Sequence, residues 1–294
     1  MNHPAGGITK CPSNLIRLSL SLALACCACG HESAKSNGND LAGAAAPQPA
    51  VVPSSRPAGV KLILVVVALC DNANQGIVPV PARLGNGDDP DSNLYWGAAF
   101  GVRTYFSKAS GWRKLAQIDN PRSAILQRCV FRYGDSNTYI VADAYRGLEI
   151  RRGISDFLEY ASGASLESGN LPALQTGGTL GGPPDLAVFV GHNGLMDFSL
   201  TRYPQSRDGS RRDAMVLCCA SRQYFSDAIR ASGAQPLLLT TNLMAPEAYV
   251  LEAAIKGWIS GETGKQICSR AAIAYNNYQK CGYRAAQALF STGY

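Results

Sequence analysis

The stretch Val60–Leu69, VKLILVVVAL, constrains the fold more than any other part of the chain. Apart from Lys61 it is apolar without a break, and valine dominates it. A strand with one wet face alternates polar and apolar residues, whereas an unbroken run reads as a strand buried on both faces. Such a strand belongs inside a parallel sheet with helices on either side. Ala124–Tyr133 adds β character, and shorter runs follow at Thr138–Ala142 (TYIVA), Asp185–Gly191 (DLAVFVG), Asp213–Cys219 (DAMVLCC) and Pro236–Thr241 (PLLLTT). Helical spacing of apolar residues marks Asn93–Ser107 and Glu149–Ala161. Leu166–Pro184 is rich in glycine and proline and reads as loop. Two helices end the chain, from Pro246 to near Ser260 and from Lys265 to near Leu289. Strands separated by helices predict an α/β fold, a three-layer α/β/α sandwich around a mostly parallel central sheet.

The first residues read differently. Lys10 and Arg17 give a positive start, and Leu18–Ala25 (LSLSLALA) is a short apolar run. A bilayer span takes about 20 residues, so this run is a secretory signal rather than a membrane helix. Its end, Leu24-Ala25-Cys26-Cys27, resembles the lipobox of bacterial lipoproteins, which implies Cys27 as the lipidated anchor. The plainer alternative is a cleaved signal with incidental cysteines. Residues 30–58 are rich in Ala, Pro, Ser, Gly and Asn and read as a disordered linker reaching about 30 Å. The expected organisation is a signal over 1–29, the linker, and a folded body over 59–294. The body would be exported to the periplasm or cell envelope and held at a membrane through its lipid.

Composition closes off several functions. The net charge is +6, but no Lys/Arg run exceeds two residues, so a nucleic-acid partner is not expected. Ten cysteines in 294 residues are too few for a disulfide scaffold. Cys11, Cys26, Cys27 and Cys29 precede the body, which keeps Cys70, Cys129, Cys218, Cys219, Cys268 and Cys281. Pairing of Cys70 with Cys129, of Cys268 with Cys281 across a helix break, or of Cys218 with Cys219 stays open. His3 and His31 also lie in the leader, leaving His192 as the body's one histidine. A body zinc site with two histidines is thereby excluded. No Walker A, GxGxxG, GxSxG or body CxxC motif occurs, and no metal or cofactor is expected.

Open α/β sheets carry their sites at the carboxyl ends of strands. Those ends hold Asp71 and Asn72, then Asp143 and Arg146, then Gly191-His192-Asn193-Gly194, then Cys218-Cys219-Ala220-Ser221, then Thr240-Thr241-Asn242. The only body histidine and a cysteine pair thus end consecutive strands. Neighbouring strands would set them about 5 Å apart, or 10 Å with one strand between. A thiol beside an imidazole ionises more readily and attacks carbonyls, and the imidazole can protonate a leaving amine. Backbone N–H groups beside His192 and at Cys219 can stabilise an oxyanion. Taken singly, a cysteine at a strand end is usually a small buried hydrophobe and a lone histidine is usually structural.

These two segments resemble a family. An apolar strand ending in His-Gly, followed by one ending in Ala-Cys, marks the clan CD cysteine peptidases, which include caspases, legumains and the catalytic subunit of GPI transamidase. Val188-Phe189-Val190-Gly191-His192-Asn193-Gly194 is similar to the legumain and transamidase segment TGHGG. Leu217-Cys218-Cys219-Ala220-Ser221-Arg222-Gln223-Tyr224-Phe225 is similar to the legumain segment EACESGSMF. The resemblance implies a caspase-like sandwich, Cys219 as nucleophile, His192 as general acid and base, Asn193 and Gly194 at the oxyanion, and a peptide or protein substrate. Asn193 stands where the family has glycine, and Cys218 where it has alanine. Family members commonly cut after Asp, Asn, Arg or Lys. Asp71, Asp143, Arg146 and Thr241 are the candidates to line the specificity pocket. They are equally suited to capping helices or holding loop backbone. The alternative function is an inactive caspase-like lipoprotein that binds a peptide or protein.

Overall fold

A computed structural model describes residues 56–167, 171 and 179–294 of the chain. The leader, the lipobox with Cys27 and the linker up to residue 55 lie outside the described residues. Arg56, on the linker side of the expected boundary, is already tied to the body. Its guanidinium pairs with Asp185 at 3.0 Å and donates to the Pro183 carbonyl at 2.9 Å.

The strands are β1 Lys61–Ala68, β2 Trp112–Arg122, β3 Ile125–Tyr133, β4 Thr138–Tyr145, β5 Leu186–Val190, β6 Asp213–Leu217, β7 Gln235–Thr240 and β8 Phe290–Ser291. They form one sheet in the order β2-β3-β4-β1-β5-β6-β7-β8. The strands β4, β1, β5, β6 and β7 run parallel, while β2, β3 and β8 are antiparallel to their neighbours. The unbroken apolar run therefore lies between β4 and β5, where both of its faces are covered.

Alternation along the strands sorts side chains into two cores. Ile63, Val65, Val67, Val188, Val190, Met215 and Leu217 face one side. They pack against α1 Val102–Lys108, α4 Ala248–Ile259, α5 Gly264–Gln279 and α6 Tyr283–Leu289. Leu62, Leu64, Val66, Phe189 and Val216 face the other, against α2 Ile150–Ala161 and α3 Ser221–Ser232. The layers are helix, sheet, helix, as the strand pattern predicts. Among the described residues no helix is long and apolar enough to cross a membrane.

Three local departures have physical causes. β2 is an edge strand whose residues are mostly exposed, so no apolar signal marks it. The expected helix over Asn93–Ser107 forms only from Val102. Asn93 is fully buried and bonds the backbone of Cys70 at the end of β1, at 3.0 Å to its N–H and 2.8 Å to its carbonyl. The last helix is broken at Lys280, in left-handed conformation with φ 54°, and at Gly282, with φ 89°, so α5 stops before α6 begins. The break that a Cys268–Cys281 pairing would need exists, yet all six described cysteines are free thiols.

Candidate active site

β5 and β6 are direct neighbours, with Val190 opposite Leu217. Carrying that register two residues on sets His192 opposite Cys219. Period-two alternation then decides between the adjacent cysteines. Cys218 follows Val216 into the α2/α3 core and is fully buried. Burial pushes its thiol well up, and the neighbouring Cys219 adds to this. Cys219 follows Leu217 to the opposite face and is partly exposed. It lines a cavity of about 290 Å³ together with His192.

The chain turns sharply after Cys219. Ala220 takes a left-handed conformation, φ 48° and ψ 36°, and begins α3. Such a backbone costs a non-glycine residue about 1–2 kcal/mol and needs support. Support comes from β7. The Thr240 hydroxyl donates to the Cys218 carbonyl and accepts from Ser221 N–H at 3.0 Å. Ser221 Oγ donates to the Val216 carbonyl at 2.9 Å and accepts from Thr240 N–H at 2.8 Å. Ala220 N–H reaches the Asn242 carbonyl at 2.9 Å. The sulfur of Cys219 therefore sits on a braced elbow at the end of β6. Met244 closes over it: its N–H donates to Cys219 Sγ at 3.5 Å, and the thiol donates to its carbonyl at 3.7 Å.

His192 is buried and held by Asp197, with Nε2 and Oδ2 2.7 Å apart. Asp197 lies on the 3-10 turn Gly194–Met196 that follows the histidine, as its C-cap. The same carboxylate oxygen accepts the Gly76 N–H at 3.0 Å. A Cβ on Gly76 would stand 2.4 Å from Asp197 Oδ1, so glycine permits this approach. Gly191 is needed as well. Its φ is +150°, and a Cβ would come within 2.9 Å of the Ala68 carbonyl oxygen. No hydrogen bond joins His192 to Cys219 among the described residues.

Asn193 does more than replace a glycine. Its φ is −80°, so no left-handed backbone is required of it. Fully buried, it donates from Nδ2 to the Cys219 carbonyl at 2.6 Å and clamps the end of β5 to the end of β6. Its Oδ1 is buried with no partner among the described residues. Its backbone N–H also has no partner among them. The Gly194 N–H is not available, because it donates to the His192 carbonyl at 3.1 Å.

No family model, curated protein or solved structure matches the chain.

The geometry of the site brings His192, Asn193 and Cys219 together and leaves the four expected pocket residues elsewhere. Asp71 is buried in a turn, its oxygens taken by the N–H of Ala73 at 2.9 Å and the side chain of Asn74 at 2.8 Å. Asp143 lies inside β4, not at its end, in a buried two-bond pair with Arg128 at 2.6 and 2.7 Å. Arg146 pairs with Asp88 at 2.5 Å. The Thr241 hydroxyl donates to the Ala288 carbonyl at 2.7 Å, and Thr241 lines a separate cavity. Asp197 and Met244 escaped the sequence reading. Asp197 lies five residues past the only body histidine, a signal that becomes meaningful once a tight turn is known to follow. Among the described residues no cluster of three or more metal-ligating side chains occurs.

Proposed function

We propose that the chain is a cysteine-type peptidase of the caspase and legumain-like class, with Cys219 as nucleophile and His192 as general acid and base. The observation that carries this reading is the pairing of neighbouring strand ends: one solvent-reachable thiol and the only body histidine line one cavity. Cys219 attacks the scissile carbonyl and forms an acyl-enzyme as the C–N bond breaks. His192 takes the Cys219 thiol proton and delivers it to the leaving amine, then takes a proton from the water that hydrolyses the thioester and returns it to the departing Cys219 sulfur. An amine in place of that water would make the outcome transpeptidation. Asp197 holds the imidazole ring, a positioning role like that of the carboxylate in hydrolytic triads. The Asn193 N–H faces the task of stabilising the oxyanion. The mostly parallel sheet with helices on both faces is compatible with a three-layer sandwich of the kind the resemblance implies. The export signal and lipid anchor at Cys27 belong to the same proposal and would place the body in the cell envelope.

Active-site labelling of the full chain under mild reduction tests the reading. An electrophilic peptide panel is applied and the modified cysteine is mapped by mass spectrometry. Modification at Cys219 that depends on the peptide, is lost in His192→Ala and survives in Cys218→Ala is the expected result. A folded, reduced protein that no peptide modifies at Cys219 would favour the partner-binding lipoprotein instead.

A further inference from the structure

Resting on the peptidase reading, we infer that the cavity beside Cys219 is a specificity pocket for an apolar side chain of the leucine, methionine or phenylalanine class, on the acyl side of the scissile bond. The charged preferences common in the resembling family have no counterpart here. Ile77, Val78, Tyr95, Met196, Leu243 and Met244 supply the wall, and no Asp, Glu, Lys or Arg lines it. Burial pushes the Tyr95 phenol well above its ordinary value, so that this wall stays neutral. The acidic and basic residues that the strand ends offered all lie outside this cavity, Asp143 and Arg146 in ion pairs and Asp71 in hydrogen bonds within its turn. A charged side chain entering this cavity would lose its water with nothing to replace it.

Size and exposure point the same way. The cavity's 290 Å³ lies at the lower edge of the roughly 300–1,000 Å³ typical of ligand pockets, which suits one side chain. In the free protein Val78 is 87%, Leu243 69% and Met196 45% exposed, and all three line this cavity. Apolar groups left wet at the mouth of a cavity gain when a ligand covers them. A peptide whose carbonyl rests at Cys219 Sγ must place a flanking side chain within one residue of that mouth.

Two arms test this with the full chain. In the first, electrophilic peptides carrying Leu, Met, Phe, Asp, Asn, Arg or Lys next to the electrophile compete for Cys219. The apolar probes are expected to label at least about 100-fold faster than Asp or Lys, since even one methylene is worth roughly 10–200-fold in such pockets. Leu243→Glu alters an exposed residue, and it should shift the preference toward Lys by at least about tenfold. In the second arm, unreactive peptides of the same series bind to Cys219→Ala, read by fluorescence anisotropy. Charged probes that label as fast as apolar ones, or a Leu243→Glu variant that shifts nothing, would overturn the pocket and leave the peptidase standing. Apolar peptides that bind Cys219→Ala while no probe labels the wild type would keep the pocket and remove the peptidase. Neither binding nor labelling would remove both.

Discussion

Cys218 and Cys219 are chemically alike in the sequence and opposite in the structure. One peptide step turns the side chain across the sheet. The first thiol then meets Phe225 and its neighbours in the α2/α3 core, and the second meets a cavity. The same dependence on direction applies to His192. Its Nε2 is engaged by Asp197, whose side chain is 33% exposed, so little of the core depends on that carboxylate. Asp197→Asn keeps the shape and removes the charge. Because it frees the ring to take the other tautomer and to rotate, kcat should fall by at least about tenfold while KM stays within about twofold. Melting temperature should move little. Steady-state kinetics on a peptide found by labelling would check this, and an unchanged kcat would remove Asp197 from the mechanism.

Among the elements, the elbow between β6 and α3 combines a left-handed residue, Ala220, with a set of buried hydroxyl bonds that support it. Ser221 and Thr240 are both fully buried, and their two hydroxyls answer polar groups that the left-handed Ala220 would otherwise leave unpaired. Thr240→Val is nearly isosteric, yet it strands the Ser221 N–H and the Cys218 carbonyl. Each buried orphan costs about 1–3 kcal/mol, so a destabilisation of about 2–6 kcal/mol is expected for the two, with slower labelling at Cys219 as the elbow relaxes. Denaturant unfolding read alongside labelling measures both, and a variant as stable as the wild type would show that water replaces the hydroxyl. Nothing in the run PLLLTT distinguishes this threonine from the next one, because its partners come from another strand. Elements announced by continuous apolar runs were legible for the opposite reason, since burial on both faces leaves its mark residue by residue. β2 was not, because an edge strand needs polar side chains. The far end of β4 was hidden too. Asp143 reads as a strand terminator until Arg128, its register partner on β3, neutralises it inside the sheet.

At the scale of the whole molecule, the order of the sheet made half of the site legible. Consecutive parallel strands put their carboxyl ends on one edge of the sheet, so His192 and Cys219 could be placed on that edge from sequence, while their being direct neighbours came from the structure. Loops have no such rule, and Met244, Asp197 and the Gly76 segment could be found only in three dimensions. The same double-sided burial has a consequence for pH. Burial pushes the thiols of Cys70 and Cys129 from 9.0 up to about 11 and about 12, and that of Cys218 well above 9.0. It raises the phenol of Tyr160 from 10.0 to about 12 and those of Tyr95 and Tyr145 well above 10.0. Below pH 8 these groups are neutral in both folded and unfolded chains and contribute no pH dependence. Above about pH 9 the unfolded chain releases their protons while the folded one retains them, so the unfolded state binds fewer protons and stability falls as pH rises. The melting temperature should therefore be nearly flat with respect to these groups between pH 6 and 8 and drop steadily from about pH 9 toward 12. Cys129→Val removes one of the retained protons and should make the drop shallower. Thermal melts followed by circular dichroism across pH 6–12 measure both effects. A melting temperature that stays level to pH 11 would mean that water reaches these thiols and phenols, and that the two cores are less closed than their packing requires.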